Sequence, residues 1–409
     1  EGMRFRNKLA YDLIRGIPQM VGLRTQFVHL YVKDNTEESD GKFEDYGIYT
    51  QVEQLNKTAL KSHGLDSNGQ LYKINSFEFY RYEDIIKKED DAGYDKTAFE
   101  KMLEIKGDSD HTKLIDMLTD LNDYSIGIED VLKEHFDEEN IVYWMAFQIL
   151  MGNVDTQNRN VYLYSPLNSD IWYFIAWDND GCLMRSEYEL KNFSDQGSWE
   201  KGISNYWGNV LFQRCLKSRS FREKLNDAIL ELREYLNKDM LISKIESYKN
   251  VLKPYLYSMP DAEYEPLTSE QYDQIVASLP DEIEKNYKLY LESLETPMPF
   301  YIGVPTIDGN KLKFNWDVSY DLDAEDITYS VEVARDYLFQ DVIYHNTTLT
   351  VPETEMDLPE AGQYFVRIRA TNTSGKTQDA FDYYVTDEGK HYGMKCFYIT
   401  EDSTVEEEH

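Results

Sequence analysis

The chain has 409 residues, and its 42 basic and 76 acidic side chains give a formal net charge of −34. The length predicts two or three domains, and a hydrophobic content of 41% excludes a wholly disordered protein. So acidic a surface repels nucleic-acid phosphates and anionic lipid, which disfavours both as general partners. No continuous apolar segment is long enough for a transmembrane helix, so we expect no membrane span in this chain.

The first part of the chain mixes helical and strand patterns. Apolar spacing predicts a helix over 4–16, which Gly16 and Pro18 end. Further elements follow in order: strands over 25–33 and 46–53 joined by an acidic loop at 34–45, a short helix over 56–63, and a strand over 70–74.

Helical periodicity dominates the middle of the chain. It predicts helices over 96–105, 113–121 and 139–151, and the third is apolar nearly all round, as is typical of a buried helix. The period then changes to two, which predicts a hairpin of strands 161–165 and 171–177. Helices return over 207–216, 221–236, 241–257 and 269–294, with an interruption of the last at Pro280.

The segment Pro297-Met298-Pro299 predicts a domain boundary. Beyond it, period-two patterns predict strands over 300–307, 311–318, 328–335, 342–345, 348–351, 363–371 and 379–385. About seven short strands in roughly one hundred residues are typical of a β-sandwich. The predicted organisation is therefore a domain at 1–296, a sandwich at 298–395 and a disordered acidic tail at 400–409.

The chemistry is predicted to lie between Gly152 and Gly181. Asp155 and Asn160 lie in the loop before the hairpin, and Asp178 and Asp180 follow its second strand. The hairpin should therefore bring the three acids and the asparagine together. In protein kinases the spacing D-x-x-x-x-N places an aspartate at the acceptor hydroxyl and an asparagine on magnesium. Carboxylate and amide oxygens are the ligands that Mg²⁺ prefers. The alternative is a solvated turn in an acid-rich chain.

Phosphoryl transfer also needs a cation on the phosphates. Lys73, in the strand QLYKI, is the candidate, and an ordinary surface lysine is the alternative. Glu53, at the end of another predicted strand, could form an ion pair with Lys73, and an ordinary edge carboxylate is the alternative there.

Six segments resemble the CotH family, the spore-coat protein H kinases, which are atypical secreted relatives of protein kinases. They occur in the family's order: RNKLAYDLIR (6–15), FVHLYV (27–32), YGIYTQVEQLNKTAL (46–60), GQLYKI (69–74), NVDTQNRNVYLY (153–164) and IAWDND (175–180). The resemblance covers about residues 1–260. It implies an α+β, bilobal fold like that of protein kinases, with ATP and Mg²⁺ as cofactors.

The resemblance also implies roles for single residues. Asp155 matches the catalytic aspartate, Asp178 the metal-binding aspartate and Lys73 the lysine that contacts ATP. Asn160 and Asp180 match positions near the metal. Arg6 matches, with Lys8, a basic pair in the early helix, for which a helix surface is an alternative explanation.

The sequence departs from the family in two places. The run Asp178-Asn179-Asp180-Gly181 stands where protein kinases have D-F-G. Family members also have further strands before the RNKLAYDLIR helix, which implies a truncated N-terminal lobe in this sequence, with poor ATP binding or none unless the natural protein is longer. The chain opens directly into a helical pattern, as if cut from a longer protein. The possibility of a signal segment or lipid anchor upstream therefore stays open.

The C-terminal part resembles a fibronectin type III domain. Trp316 matches the core tryptophan of the second strand and Tyr364 the tyrosine of the sixth strand, with Asn372 and Gly375 in the turn that follows. A Cys…Trp…Cys pattern is missing from the sequence, which disfavours a true immunoglobulin domain. The resemblance implies a spacer or a surface for an extracellular binding partner.

The leading hypothesis is an ATP- and Mg²⁺-dependent kinase that acts on Ser or Thr of a protein, or on itself, at the cell surface or outside the cell. Charge favours a basic, Ser-rich substrate protein over an acidic one. Two alternatives stay open: a cell-surface adhesin or scaffold with a kinase-like fold, and a pseudokinase. The presence of Asp155, Asn160 and Asp178 together favours chemistry, since an adhesin does not need all three.

Overall fold

The computed structural model describes residues 2–36, 41–191 and 196–407. The chain divides into two compact units, made of the described residues of Glu1–Lys191 with Asn209–Tyr287 and of Asn192–Gly208 with Lys288–His409. The segment 196–208 thus belongs with the C-terminal residues, although it lies far from them in the chain. The boundary at 296–298 stays a prediction. Within the described ranges, no helix has the length and apolarity needed to cross a bilayer.

The first unit combines helices with two antiparallel sheets. Its elements are α1 (Arg6–Ile14), β1 (Thr25–Lys33), β2 (Phe43–Val52), α2 (Lys57–Ser62), β3 (Gln70–Ile74), α3 (Lys96–Met102), β4 (Leu103–Ile105), α4 (Thr112–Asn122), α5 (Ile128–His135), α6 (Glu138–Met151), β5 (Val161–Ser165), β6 (Tyr173–Ala176), α7 (Arg185–Lys191), α8 (Val210–Lys217), α9 (Arg219–Tyr235), α10 (Lys238–Leu256) and most of α11 (Ser269–Glu295). β1 and β2 form a hairpin, and the other four strands form a sheet in the order β4-β3-β5-β6.

Most of these elements confirm the predictions, and the differences have physical causes. Residues 103–105, predicted as a helix end, form β4 because they pair with β3, with Glu104 opposite Lys73. Pro280 does not interrupt α11. Two residues later, the buried side chain of Glu282 accepts hydrogen bonds from the backbone N–H groups of Arg185 (3.1 Å) and Ser186 (2.9 Å). These tertiary contacts stabilise the helical conformation around Pro280. Helices α5 and α7 were not predicted.

Helix α6 is the buried helix of the first unit and sets the start of the loop that carries Asp155. Its Trp144 is fully buried and stacks on Phe212 at 5.6 Å between ring centroids. The helix ends at Gly152, whose φ of 62° lies in the left-handed region. There Asn153 N donates to Gln148 O (3.0 Å) and Gly152 N to Ile149 O (3.1 Å), the two bonds of a Schellman motif.

The second unit is built from strands that follow the end of α11. They are β7 (Thr306–Asp308), β8 (Lys311–Asn315), β9 (Ile327–Ala334), β10 (Val342–Leu349), β11 (Glu353–Asp357), β12 (Gly362–Asn372), β13 (Thr377–Asp379), β14 (Tyr383–Thr386), β15 (Gly389–Tyr392), β16 (Met394–Ile399) and β17 (Val405–Glu407). One sheet runs β10-β9-β12-β16-β17, with β13 on β12; a second runs β11-β8-β7, and β14 pairs with β15.

The two larger sheets of this unit share one hydrophobic core, as a β-sandwich does. Trp316 is 5% exposed in that core, as predicted for a core tryptophan. The Tyr364 hydroxyl donates to Glu360 O at 2.8 Å. A tyrosine bonded to the backbone a few residues upstream is the tyrosine corner of immunoglobulin-like sandwiches.

Several strand predictions for the second unit were wrong. Of the strand predicted over 300–307 only the end belongs to a strand, β7, and the strand predicted over 379–385 is broken between β13 and β14. The two strands predicted over 342–351 are the single strand β10, and β11 was not predicted. The domain end at 395 stays a prediction, and β16 continues past it to Ile399. The tail was predicted as disordered, but β17 pairs with β16, with Glu407 opposite Phe397. This edge strand accommodates its acidic side chains because Glu406 is exposed and Glu407 forms an ion pair with Lys395 at 3.0 Å. Residues 408–409 lie outside the described part of the chain.

Substitution of Trp199 provides a test of whether the segment 196–208 belongs to the second unit. Its ring packs edge-on against Phe381 (5.0 Å between ring centroids) and Tyr392 (6.1 Å), and 9% of the side chain is exposed. We expect Trp199→Ala to lower the free energy of unfolding of the second unit by about 3 kcal/mol, the loss typical of a truncated buried aromatic. Denaturant titration of the full chain measures this free energy. Trp316→Ala, in the core of the second unit, identifies the unfolding transition of that unit. A loss confined to the first unit would contradict the assignment.

Candidate active site

The sheet β4-β3-β5-β6 brings the predicted site residues to one end of its strands. β5 pairs antiparallel with β6, with Val161 opposite Ala176, so the loop before β5 lies beside the loop after β6. β3 pairs with β5, with Lys73 opposite Tyr162. Residues directly opposite each other in such a pair share a face of the sheet. We call the loop with Asp155, before β5, and the loop with Asp178, after β6, the acid loops. The prediction that the hairpin brings these two loops together is confirmed.

Asp155 is held within its own loop. Its Oδ1 forms an ion pair with Arg159 Nη2 at 2.6 Å, and its Oδ2 accepts a hydrogen bond from Asn160 Nδ2 at 2.9 Å. The Asp155 side chain is 42% exposed. Asn209 Nδ2 donates to Gln157 O at 2.9 Å, which ties the middle of the loop to the start of α8. The carboxylate is therefore positioned by the fold and partly exposed, with both of its oxygens engaged by side chains of the same loop.

Asp178 is held by residues of α1. Its Oδ1 accepts from Asn7 Nδ2 at 3.4 Å, and its backbone N–H donates to the Tyr11 hydroxyl at 3.2 Å. Asp178 (φ 51°) and Asn160 (φ 58°) both have left-handed backbones. Asn and Asp tolerate this conformation better than most residues. Strained backbone persists where surrounding structure fixes it, and such positions cluster at functional sites.

The two loops carry negative charge that is not fully balanced. Burial, then the charges of Asp180 and Asp155, raise the pKa of Asp178, and Lys73 acts in the opposite direction. Burial also raises the pKa of Asp155, against the effect of Arg159 and Asn160. Asp180 is exposed and acts on both groups through its charge. A bound cation would relieve this repulsion.

Lys73 is half-buried on β3. Throughout the described ranges, no hydrogen bond or ion pair engages its ammonium group. Its charge nevertheless acts on Asp178, where it partly offsets the burial and the acidic neighbours that raise the pKa. The structure thus places the predicted phosphate-binding cation near the predicted metal-binding acid.

Glu53 does not pair with Lys73, which corrects the prediction of an ion pair. Its carboxylate contacts the Arg24 guanidinium and accepts from Arg24 N (3.1 Å) and His63 Nε2 (2.7 Å). Burial opposes this charge, but the hydrogen bonds from Arg24 and His63 lower the pKa of Glu53 to about 2. The reason is topological, since Glu53 ends the separate β1–β2 hairpin. In its own sheet Lys73 lies opposite Glu104 on β4 and Tyr162 on β5. Contact of Glu53 with the nucleotide stays a prediction.

Arg6 is fully buried, which excludes the helix surface as its explanation. It forms an ion pair with Glu187 Oε2 at 2.7 Å and donates through Nε to Leu183 O at 3.1 Å. Lys8 binds Asp12 Oδ2 at 2.8 Å. Arg6 therefore ties α1 and α7 to the end of the Asp178 loop. Its predicted role in ATP binding remains a prediction.

The donor set fits a hard cation such as Mg²⁺. Asp155, Asp178 and Asn160 offer carboxylate and amide oxygens. Burial and, after it, the charge of nearby acids raise the pKa of both carboxyl groups, and a cation would offset both effects. In the part of the chain that the structure describes, no group of three or more His, Cys, Asp or Glu side chains is arranged to hold a metal ion. Asp178, Asn160 and Asp180 therefore stay predicted metal ligands.

The raised pKa of Asp178 gives a stability prediction. When the pKa of a carboxyl group is higher in the folded than in the unfolded state, the folded protein loses stability as the pH rises past the ordinary pKa of that group. Asp178→Asn should therefore raise the melting temperature at pH 7 by a few degrees without metal. Millimolar Mg²⁺ should stabilise the parent and leave the variant unchanged. Thermal melts with and without Mg²⁺ test this, and equal Mg²⁺ stabilisation of both would contradict it.

Gly181 gives a second prediction. A Cβ at this position would lie 2.7 Å from Asn153 Oδ1, and Asn153 is only 2% exposed, so the amide has little room to move. Gly181→Ala should push the two acid loops apart and weaken Mg·ATP binding about 10-fold, the lower end of the range for perturbed metal-site surroundings. Calorimetry measures it. In the control, Gly127→Ala, the nearest atom is 3.6 Å away and affinity should not change.

Sequence reasoning missed several residues that organise the site: Asn7, Gln148, Asn153, Arg159 and Asn179. One of them left a readable signal. Gln148 is a polar residue in the otherwise apolar run of α6, and a buried polar side chain requires partners. The remaining four lie among other polar loop or helix-end residues, where sequence does not distinguish them.

The family model described as CotH kinase protein matches residues 1–290 of the chain. A search of curated proteins found no match. The family match supports the predicted fold class, a kinase-like α+β region followed by an all-β region of antiparallel sheets. It indicates an atypical kinase, a class of transferase that in general uses ATP, a divalent metal and a protein substrate. Because the match covers most of its length, the chain belongs to the CotH kinase family.

Proposed function

We propose that this chain is an ATP- and Mg²⁺-dependent atypical protein kinase that phosphorylates Ser or Thr of a basic protein, or of itself, at the cell surface or outside the cell. The observation that carries the proposal is the convergence of Lys73, Asp155, Asn160 and Asp178 at one end of the sheet β4-β3-β5-β6. Asp178 lies within electrostatic reach of both Asp155 and Lys73.

Each side chain has a distinct task in this proposal. Lys73 would neutralise phosphate oxygens of the nucleotide, and Asp178 and Asn160 would hold the metal. Bound Mg²⁺ would supply neutralisation of the charge on the transferring phosphoryl group. Asp155 would orient the acceptor hydroxyl and take its proton as the hydroxyl oxygen bonds to the γ-phosphorus and the bond to the ADP oxygen breaks.

Arg159 must release one oxygen of Asp155 before the acceptor hydroxyl can approach it. The Arg159 side chain is 53% exposed, and ion pairs between such exposed groups contribute little free energy. An acceptor hydroxyl can therefore displace the guanidinium at low cost. Asn160, which donates to the other oxygen, would keep the carboxylate oriented meanwhile.

The substrate class follows from charge, and the location rests on the family resemblance. A net charge of −34 attracts a basic, Ser-rich segment and repels an acidic one. We assign the second unit to a fibronectin type III-like module, supported by the core position of Trp316 and the hydrogen bond from Tyr364 to Glu360. Such a module would hold the kinase near an extracellular partner.

The test has two arms. Calorimetry of the full chain should detect ATP binding with Mg²⁺ and much weaker binding with EDTA. Radiolabelled ATP should label a Lys/Ser-rich peptide more than a Glu/Ser-rich peptide of equal length, and the chain itself. Binding without any transfer to either peptide or to the chain would rule out the kinase proposal.

A second candidate is a pseudokinase that serves as a cell-surface scaffold or adhesin. Two observations favour it: the ion pair that occupies Asp155, and the lack, among the described residues, of a ready three-ligand acidic metal site. This candidate predicts nucleotide binding that does not depend on Mg²⁺, with no labelled product.

A further inference from the structure

A buried carboxamide connects the two acid loops. Gln148, fully buried on α6, donates through Nε2 to Asn179 Oδ1 at 3.2 Å and accepts through Oε1 from Asn153 Nδ2 at 3.1 Å. Asn179 is also fully buried, and Asn153 is 2% exposed. Asn153 lies two residues before Asp155, and Asn179 directly follows Asp178. One side chain thus bridges the loop of the predicted base and the loop of the predicted metal ligand.

Asn7 of α1 extends this bridge to the acid itself. Its Oδ1 accepts from the backbone N–H of Asn179 at 3.1 Å, and its Nδ2 donates to Asp178 Oδ1 at 3.4 Å. The chain of contacts therefore runs from Asn153 through Gln148 and Asn179 to Asn7 and ends on the Asp178 carboxylate.

Carboxamides suit this position for a physical reason. Each offers a donor and an acceptor and adds no charge to a region that already holds three acids. Burial and then the charges of Asp180 and Asp155 already raise the pKa of Asp178, and another carboxylate would add to the repulsion. A lysine would compete with a metal ion. Because an unpaired buried amide is costly, these hydrogen bonds resist distortion and fix the spacing of the loops.

We propose that Gln148 and Asn7 are positioning residues that set the separation and orientation of Asp155 and Asp178 for binding the metal. This inference rests on the proposed function, because it assumes that the two acids serve a metal site. It assigns the two amides no contact with substrate or metal.

Asn140 provides a matched control on the same helix. It is 4% exposed. Its Nδ2 donates hydrogen bonds to Gln19 O (2.9 Å) and Phe174 O (3.2 Å), and its Oδ1 accepts one from Phe174 N (2.6 Å). It therefore stabilises the fold through the same chemistry at the other end of α6, without contact to either acid loop. A purely structural role of Gln148 would make the two positions behave alike.

The experiment measures Mn²⁺ affinity of the folded full chain by electron paramagnetic resonance, with Mn²⁺ alone as the probe. Gln148→Met and Asn7→Ala should raise the dissociation constant about 10-fold or more, the range for residues that orient metal ligands. Asn140→Leu should lower the melting temperature as Gln148→Met does but change the dissociation constant by less than about 2-fold, because its site is separate.

The outcomes of this experiment distinguish a failure of the positioning inference from a failure of the proposed function. If the parent binds no Mn²⁺, the proposed metal site and this inference both fail. If the parent binds Mn²⁺ and both Gln148→Met and Asn7→Ala bind it equally well, the inference is overturned while the function stands. Should Gln148→Met fail to fold, Asn7→Ala decides alone, because Asn7 is half-buried and alanine favours the helix.

Discussion

Replacing Asp178 with alanine is expected to abolish Mg²⁺-dependent nucleotide binding. Asp178 lies just after β6, where Asn7 contacts its carboxylate and the Tyr11 hydroxyl its backbone N–H. The raised pKa of Asp178 reflects burial and the nearby acids Asp180 and Asp155. In kinase sites a carboxylate at this position joins the metal to the phosphates. Alanine removes the ligand, so ATP with Mg²⁺ should bind no better than ATP with EDTA. Calorimetry of the parent and the variant measures both.

Asp170 supplies the control for this change. It lies exposed in the turn between β5 and β6, at the other end of the same hairpin, so Asp170→Ala removes an equal charge far from the acid loops. This variant should keep the Mg²⁺ dependence of the parent. Tight Mg·ATP binding by Asp178→Ala, at the level of the parent, would remove Asp178 from the metal site.

The position of the site could be predicted from sequence because it depends on local pattern. A buried helix, a turn, two short strands and a second turn follow one another in the chain, and an antiparallel hairpin leaves little freedom in how its ends meet. Lys73 could be placed in the same sheet only as a candidate, because its pairing with β5 joins residues about ninety positions apart.

The partners of single side chains could not be predicted, because they depend on contacts between distant elements. Glu53 binds Arg24 and His63 rather than Lys73, since its strand belongs to another sheet. Likewise Arg6 has the signature of a surface residue in sequence, yet Glu187 neutralises it in the interior. The short strand β17 has an acidic composition typical of a tail, but it pairs with β16, and Val405 packs against the core of the second unit.

Replacing Asp155 with asparagine or alanine is expected to separate binding from chemistry. Asp178 and Lys73 would still hold the metal and the phosphates, so nucleotide affinity should stay within a few-fold of the parent. Phosphoryl transfer should fall about 10²-fold or more, the scale for loss of a positioned general base. Stability should change little, because the carboxylate is 42% exposed and polar. Single-turnover labelling of a basic Ser-rich peptide, alongside ATP calorimetry, measures the two effects.

Arg159→Gln tests whether the effect belongs to the carboxylate or to its ion pair. This variant loses the contact to Asp155 Oδ1 but keeps the hydrogen bond from Asn160, so transfer should fall far less than in Asp155→Asn. The pH dependence adds an independent readout. Because burial raises the pKa of Asp155, transfer should decline on acidification at a higher pH than an ordinary aspartate would give. Full transfer activity in Asp155→Asn would eliminate Asp155 as the base, whatever the pH profile.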